Sequence, residues 1–250
     1  VYSLLWFFIE VFRASFLINF LVSGGICLGL AIFMGMYFPS FEEKSQQNKS
    51  IVLRKRYWLY YLLTFLSGAR RQIFVVFAAF LMVEKFGYSV SEVTLLFLVN
   101  YAFNWLFAEK IGQLIGRIGE RRALTLEYTG LIFVFVAYGL VENATLAACL
   151  YVIDHMFFAL AIGIKTYFQK IADPADMASS AGVSFTINHI AAVVIPAALG
   201  LVWLWSHALV FYFGAMFALL SLIASQLIPR DPMQGKETNL SSANSLGYQA

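Results

Sequence analysis

The sequence predicts an all-α, polytopic membrane protein, and three observations carry that prediction. Hydrophobic residues make up 61% of the 250 residues, charged residues only 12%, and the mean hydropathy is +0.76. A soluble domain typically carries about 25% charged residues. Seven runs reach the roughly 20 mostly apolar residues that a spanning helix needs: 14–38, 57–83, 91–111, 123–141, 146–170, 181–204 and 207–228. Finally, the basic residues crowd into alternate connections between those runs. Barrel strands are excluded, because the runs are too long and continuous for an alternating pattern.

Residues 1–38 are too long for one span. Val1–Phe12 reads as the stub of a preceding helix, with a turn near Arg13, Ala14 and Ser15, and 14–38 as the first whole span. The chain opens inside an apolar run with no basic leader, so it reads as part of a longer protein. Gly24, Gly25 and Gly29 have the small-residue spacing of close helix packing. Pro39–Ser50 is polar and linker-like, and the tail after Pro229, rich in Asn, Ser and Gln, reads as disordered. Cys27 and Cys149 lie far apart in or beside apolar runs, with no metal-ligand spacing, and read as packing residues.

Charge placement orients the chain. One set of connections carries Lys44, Lys49, Arg54, Lys55, Arg56, Lys110, Arg117, Arg121, Arg122 and Lys170, and the tail adds Arg230 and Lys236. The opposite set offers Lys85 alone. Basic loops stay on the cytoplasmic side, so the first set and the C-terminus are expected in the cytoplasm.

The third connection contains a short, basic, glycine-punctuated tract from Gly112 to Leu124, which reads as a turn between two spans. Its pattern, Gly-x-Leu-x-x-Arg-x-Gly-x-Arg-x-x-Leu, falls on Gly112, Leu114, Arg117, Gly119, Arg121 and Leu124, with Arg122 beside it. This pattern resembles the cytoplasmic loop signature of the major facilitator superfamily (MFS) of transporters, which joins the second and third helices of each half. Gly116 stands where that signature has an acidic residue, which predicts a weaker gating latch. Over roughly residues 14–228 the resemblance implies a six-helix bundle of two three-helix inverted repeats, preceded by one further transmembrane helix. The implied divisions are 1–38, the end of the N-terminal bundle (helix six with a stub of helix five); 39–56, a cytoplasmic inter-bundle linker; 57–228, the C-terminal bundle, helices seven to twelve; and 229–250, a disordered cytoplasmic tail.

Ionisable groups inside a membrane cost roughly 2.5–3.5 kcal/mol each at a helix centre, so something must compensate them. Helix seven carries Arg70 and Arg71, with Ser67 one turn before; helix eight carries Asn100 and Asn104, four apart and so on one face. Helix ten carries Asp154, His155 and Lys165, and helix eleven carries Ser184, Asn188 and His189, followed by Pro196. Helix nine has Glu127 only near one end, and helix twelve has no charge between His207 and Arg230. The resemblance implies that helices seven, eight, ten and eleven line a central cavity while nine and twelve pack outside, and the polar residues divide in the same way.

Each group admits two readings. Arg70 and Arg71 fit an anionic solute, since guanidinium forks onto carboxylate or phosphate; they also fit a charge-balancing pair with Asp154. Asp154 and His155 fit a proton-coupling site, or a static ion-pair partner beside a packed imidazole. Asn188 and His189 fit solute recognition, or hydrogen bonding between helices. Asp154 and Lys165, eleven residues apart, share nearly one helical face about 16 Å apart along the axis, and Lys165 is expected to snorkel. Pro196 removes a backbone donor beside the Asn188–His189 pair.

The expected substrate or ion pathway is therefore Arg70, Arg71, Asn100, Asn104, Asp154, His155, Asn188 and His189. There is no phosphate-binding loop and no catalytic or metal-ligand motif, so no enzyme activity, cofactor, metal or nucleic acid is expected. The expected function is secondary active transport of a small polar, anionic solute by alternating access, with proton coupling. The expected partners are that solute, protons, the lipid bilayer and a missing N-terminal half. The expected location is a bacterial inner (plasma) membrane. A truncated half that only scaffolds is the alternative. A seven-helix retinal receptor fits less well, because helix twelve has no lysine for a Schiff base.

Overall fold

A computed structural model describes residues 16–39 and 53–240 of the chain. The protein is all-α, and among the described residues seven helical stretches are long and apolar enough to cross a membrane, one for each apolar run. Helix α1 is Phe16–Tyr37. The second span, Lys55–Glu84, joins a 3-10 turn (Lys55–Tyr57), α2 (Trp58–Gln72), a π-helical segment (Ile73–Ala78) and α3 (Ala79–Glu84). Then come α4 (Val90–Ile118) and α5 (Glu120–Leu140). The fifth span is α6 (Ala144–Phe158), a 3-10 turn (Ala159–Ala161) and α7 (Ile162–Ile171). A 3-10 turn (Pro174–Asp176) leads into α8 (Met177–Trp203), and α9 is His207–Ser225.

Local chemistry sets the boundaries. Ser89 opens α4 with a capping box: its hydroxyl accepts from the Glu92 amide at 3.2 Å, and its own amide donates to the Glu92 carboxylate at 2.7 Å. Asn143 caps α6 by accepting from the Leu146 amide at 3.0 Å. The basic tract is helical rather than a turn. α4 runs through Gly112 and Gly116 to Ile118, and the chain reverses at Gly119 alone. Gly119 has φ 83° and ψ 154°, a backbone region open essentially to glycine. Among the described residues nothing lies within 4 Å of a Cβ placed at Gly112 or Gly116, so neither position requires glycine for space.

Helix pairing treats the first three spans of the bundle and the last three alike. α5 packs along α9, α2 against α8, and α4 against α6. Exchanging the first, second and third spans of one triplet with those of the other maps this set of pairs onto itself, as two three-helix repeats require. Where apolar helices meet in lipid, close packing replaces the hydrophobic drive. At the α5–α9 contact the fit is reciprocal: Gly139 receives the Tyr212 ring and Gly214 receives the Phe135 ring.

The interior has two main apolar clusters. One, toward the basic end, gathers Tyr57, Leu63, Leu124, Tyr128, Tyr167 and Phe168. The other gathers Phe74, Leu131, Phe135, Tyr151, Trp203 and Phe211. Arg70 lies between Ala69 and Ile73 of the second cluster on α2, and Glu127 between Leu124 and Tyr128 of the first on α5, so their pair links the two clusters.

Two expectations change. Residues 229–240, read from composition as part of a disordered tail, fold back over the basic end of the bundle. Gln234 donates to the Ala172 carbonyl at 2.7 Å, Tyr167 to the Glu237 carbonyl at 2.6 Å, and Asn239 to the Gln226 carbonyl at 3.1 Å. Polar composition does not preclude order when each polar group finds a partner on a preformed helix end. In α1, open space surrounds Gly24, Gly25 and Gly29, so no helix packs on them among the described residues. The helix-five stub, its turn near residues 13–15, the linker over 40–52 and the last ten residues lie outside the described part of the chain.

Candidate functional site

The two spans that begin each repeat are both interrupted near mid-span. The second span winds into a π-helix at Ile73–Ala78, and the fifth tightens into a 3-10 turn at Ala159–Ala161. Departures from α-geometry expose backbone groups and often mark functional positions in membrane helices. A cleft of about 690 Å³ opens beside both interruptions.

All eight of the expected pathway residues line this cleft. Arg70 and Arg71 come from α2, Asn100 and Asn104 from α4, Asp154 and His155 from α6, and Asn188 and His189 from α8. Lys165 of α7, exposed, lines it as well, although it was not among the expected pathway residues. The 3-10 turn between α6 and α7 breaks the single helical face on which Asp154 and Lys165 were placed, yet both reach the cleft. α5 contributes Leu131 and Phe135 to its wall, while no residue of α9 takes part. The expectation that helix nine only packs outside is corrected accordingly.

The charges sort into a buried pair and an open remainder. Arg70, 1% exposed, pairs with Glu127 of α5, 0% exposed, with Nη1 at 3.4 Å from Oε1. Arg70 Nε also donates to the Leu66 carbonyl at 3.3 Å, and its guanidinium lies 4.4 Å from the centre of the Tyr128 ring. The partner of Arg70 is thus Glu127 and not Asp154, which corrects the charge-balancing alternative. The reason is rotational: 70 and 71 are adjacent, so they point about 100° apart around α2. Arg70 turns toward α5, and Arg71 is exposed in the cleft.

Arg71 has no carboxylate within 4.0 Å among the described residues; its guanidinium lies 5.9 Å from the centre of the Phe158 ring. Asp154 is buried, 4% exposed, with His155 Nδ1 at 3.6 Å. That same nitrogen lies 3.1 Å from the Tyr151 carbonyl, and the His155 ring packs on Phe74 and Tyr151.

The amides occupy matching places in the two repeats. Asn104 donates to the Asn100 carbonyl and Asn188 to the Ser184 carbonyl, each at 3.0 Å and one turn back. The hydroxyl of Ser184 meets that of Tyr60. α8 stays continuous through Pro196. Asn100 stands apart: it is 2% exposed, and among the described residues neither its amide oxygen nor its amide nitrogen has a hydrogen-bond partner. Buried polar atoms are rarely left so.

At the basic end the tract makes specific contacts. Glu120, buried behind Gly119, meets Lys170 at 2.6 Å. Arg121 donates to Gln226 at 3.1 and 3.2 Å, and Gln226 donates to Thr125 at 3.0 Å. Gly112, Leu114, Arg117 and Arg122 lie at this end, outside the cleft. Sequence reasoning passed over Asp176, which gathers Arg54, Arg56 at 3.4 Å and the Tyr57 hydroxyl at 3.1 Å. The hydrogen bond to Asp176, with its charge, holds the Arg54 guanidinium above its ordinary value. An acid after a helix-starting proline was the available signal.

Together these features define a polytopic membrane protein with a polar, charged cleft between apolar helices, the layout of a membrane transporter. The profile of the Major Facilitator Superfamily matches residues 4–196, well over half of the chain. The protein belongs to the Major Facilitator Superfamily, a family of membrane transporters for small-molecule solutes. No curated protein and no solved structure matches the chain.

Proposed function

We propose that this chain forms part of a secondary active transporter that moves a small polar, anionic solute by alternating access through the cleft. One observation carries the reading. With Arg70 neutralised by Glu127, Arg71 and Lys165 face the cleft without carboxylate partners among the described residues, and they outnumber Asp154. A guanidinium in such a place binds carboxylate or phosphate strongly.

Asp154 supplies the second part of the proposal, proton coupling. A carboxylate largely withdrawn from water beside a polar path is costly to keep charged, so it is suited to take up and release a proton as the path opens to each side. The interrupted second and fifth spans give the flexing points. The basic end faces the cytoplasm, and the Glu120–Lys170 and Arg121–Gln226 contacts latch the helix ends there. The complete transporter includes an N-terminal bundle, to which α1 and the residues before it belong.

Uptake of radiolabelled anions by cells expressing the complete transporter tests the reading. Arg71→Ala is expected to abolish uptake and Asp154→Asn to uncouple it from a pH gradient, with both proteins present in the membrane. Wild-type uptake by both variants sinks the proposed pathway.

A further inference from the structure

The charges of the cleft name an anion; its remaining walls narrow the anion further. The guanidinium of Arg71 does not stand alone but lies 5.9 Å from the centre of the Phe158 ring. Phe185 lies against His189, their ring centres 4.0 Å apart, and Phe185 and Tyr101, both exposed, line the same cleft. A small hydrophilic anion such as phosphate or lactate uses none of these ring faces and leaves them against water. A planar aromatic anion uses both parts: carboxylate on the guanidinium, ring against the aromatic wall.

Asn100 adds a third point of contact. It lines the same cleft, is nearly fully buried, and has neither its donor nor its acceptor satisfied among the described residues. A hydroxyl is the smallest solute group that answers both, accepting from Nδ2 and donating to Oδ1. Leaving those atoms unpaired carries a desolvation penalty, so a solute that pairs them is favoured over its unsubstituted analogue.

We infer that the solute of this cleft is a hydroxylated aromatic carboxylate, with Arg71 holding its carboxylate, Phe158 and Phe185 its ring, and Asn100 its hydroxyl. The inference rests on the anion reading above and goes beyond it. It assigns Asn100 as a specificity-determining residue.

The test is competition for uptake by the complete transporter in proteoliposomes, with 4-hydroxybenzoate, benzoate, lactate, inorganic phosphate and the cation tyramine as probes. The expected order is 4-hydroxybenzoate, then benzoate weaker by about tenfold, then lactate and phosphate. Within the Asn100→Leu variant, 4-hydroxybenzoate and benzoate are expected to compete equally, and a retained preference of about tenfold for 4-hydroxybenzoate overturns the role of Asn100. If lactate or phosphate matches 4-hydroxybenzoate, the aromatic class is overturned while the anion reading stands. If tyramine competes best, the anion reading itself fails. Should Asn100→Leu not fold, quenching of intrinsic fluorescence by 4-hydroxybenzoate and by benzoate on the unaltered protein decides the point, and equal affinities overturn the role of Asn100.

Discussion

Arg70 and Glu127 meet through a single oxygen: the two terminal nitrogens of the guanidinium lie 3.4 and 3.5 Å from Oε1, while Oε2 has no hydrogen-bond partner among the described residues. The pair ties the first span of one repeat to its third, and a stretch of one apolar cluster to a stretch of the other. Because it is dry, its strength lies in completeness. Removing one member leaves an uncompensated charge, which costs about 3–5 kcal/mol in a buried pair.

Glu127→Ala is therefore expected to lower the unfolding free energy in detergent by about 3–5 kcal/mol. The double replacement Arg70→Met with Glu127→Leu recovers most of that loss, because it removes both charges together. Thermal unfolding of the three proteins measures this; equal losses in the single and double variants would show that the pair does not act as a unit.

Gly68 and Asn188 set how closely α2 approaches α8. A Cβ at Gly68 falls 2.6 Å from Asn188 Oδ1 and 3.4 Å from the Ala191 Cβ. Gly68→Ala needs only the Asn188 amide to swing away from Ser184, so stability falls by less than about 1 kcal/mol while solute affinity changes. Gly68→Leu also drives into Ala191 and costs about 1–3 kcal/mol. Paired unfolding and binding measurements separate the two effects.

Gly119 is the whole turn between α4 and α5. Its φ of 83° with ψ of 154° makes Gly119→Ala cost about 1–3 kcal/mol, whereas Gly116→Ala, with open space around it, is expected to be neutral or slightly stabilising. Melting temperatures of the two variants check the contrast; equal changes would contradict it.

Asp176 draws Arg54, Arg56 and Tyr57 onto the entry of α8. Asp176→Asn keeps the shape but removes the charge, and trypsin is then expected to cut faster at Arg54, Lys55 or Arg56. An unchanged cleavage rate would mean that these contacts do not restrain the segment.

The spans were legible because a membrane helix must be apolar over its whole length, and the eight polar positions stood out against that background. Which partner each would find was not legible. Arg70 reaches Glu127 rather than Asp154 because of helix rotation, and neighbouring residues differ by about 100°. The interruptions at Ile73–Ala78 and Ala159–Ala161 carry no glycine or proline to announce them. Residues 229–240 look like a solvated tail by composition, and only the helix ends they meet give them order. The glycine-punctuated tract shows the reverse: several glycines suggested a loop, yet only Gly119 needs to be one.

The claim that the cleft is the solute path is tested most directly at Asn188. Cys27 and Cys149 are replaced by serine, Asn188→Cys is introduced, and the complete transporter is exposed to a membrane-impermeant thiol reagent on one face and then the other. The account predicts labelling through water, slowed by the transported solute and shifted between faces by a solute gradient. A folded, active protein in which the introduced thiol reacts from neither face would contradict it.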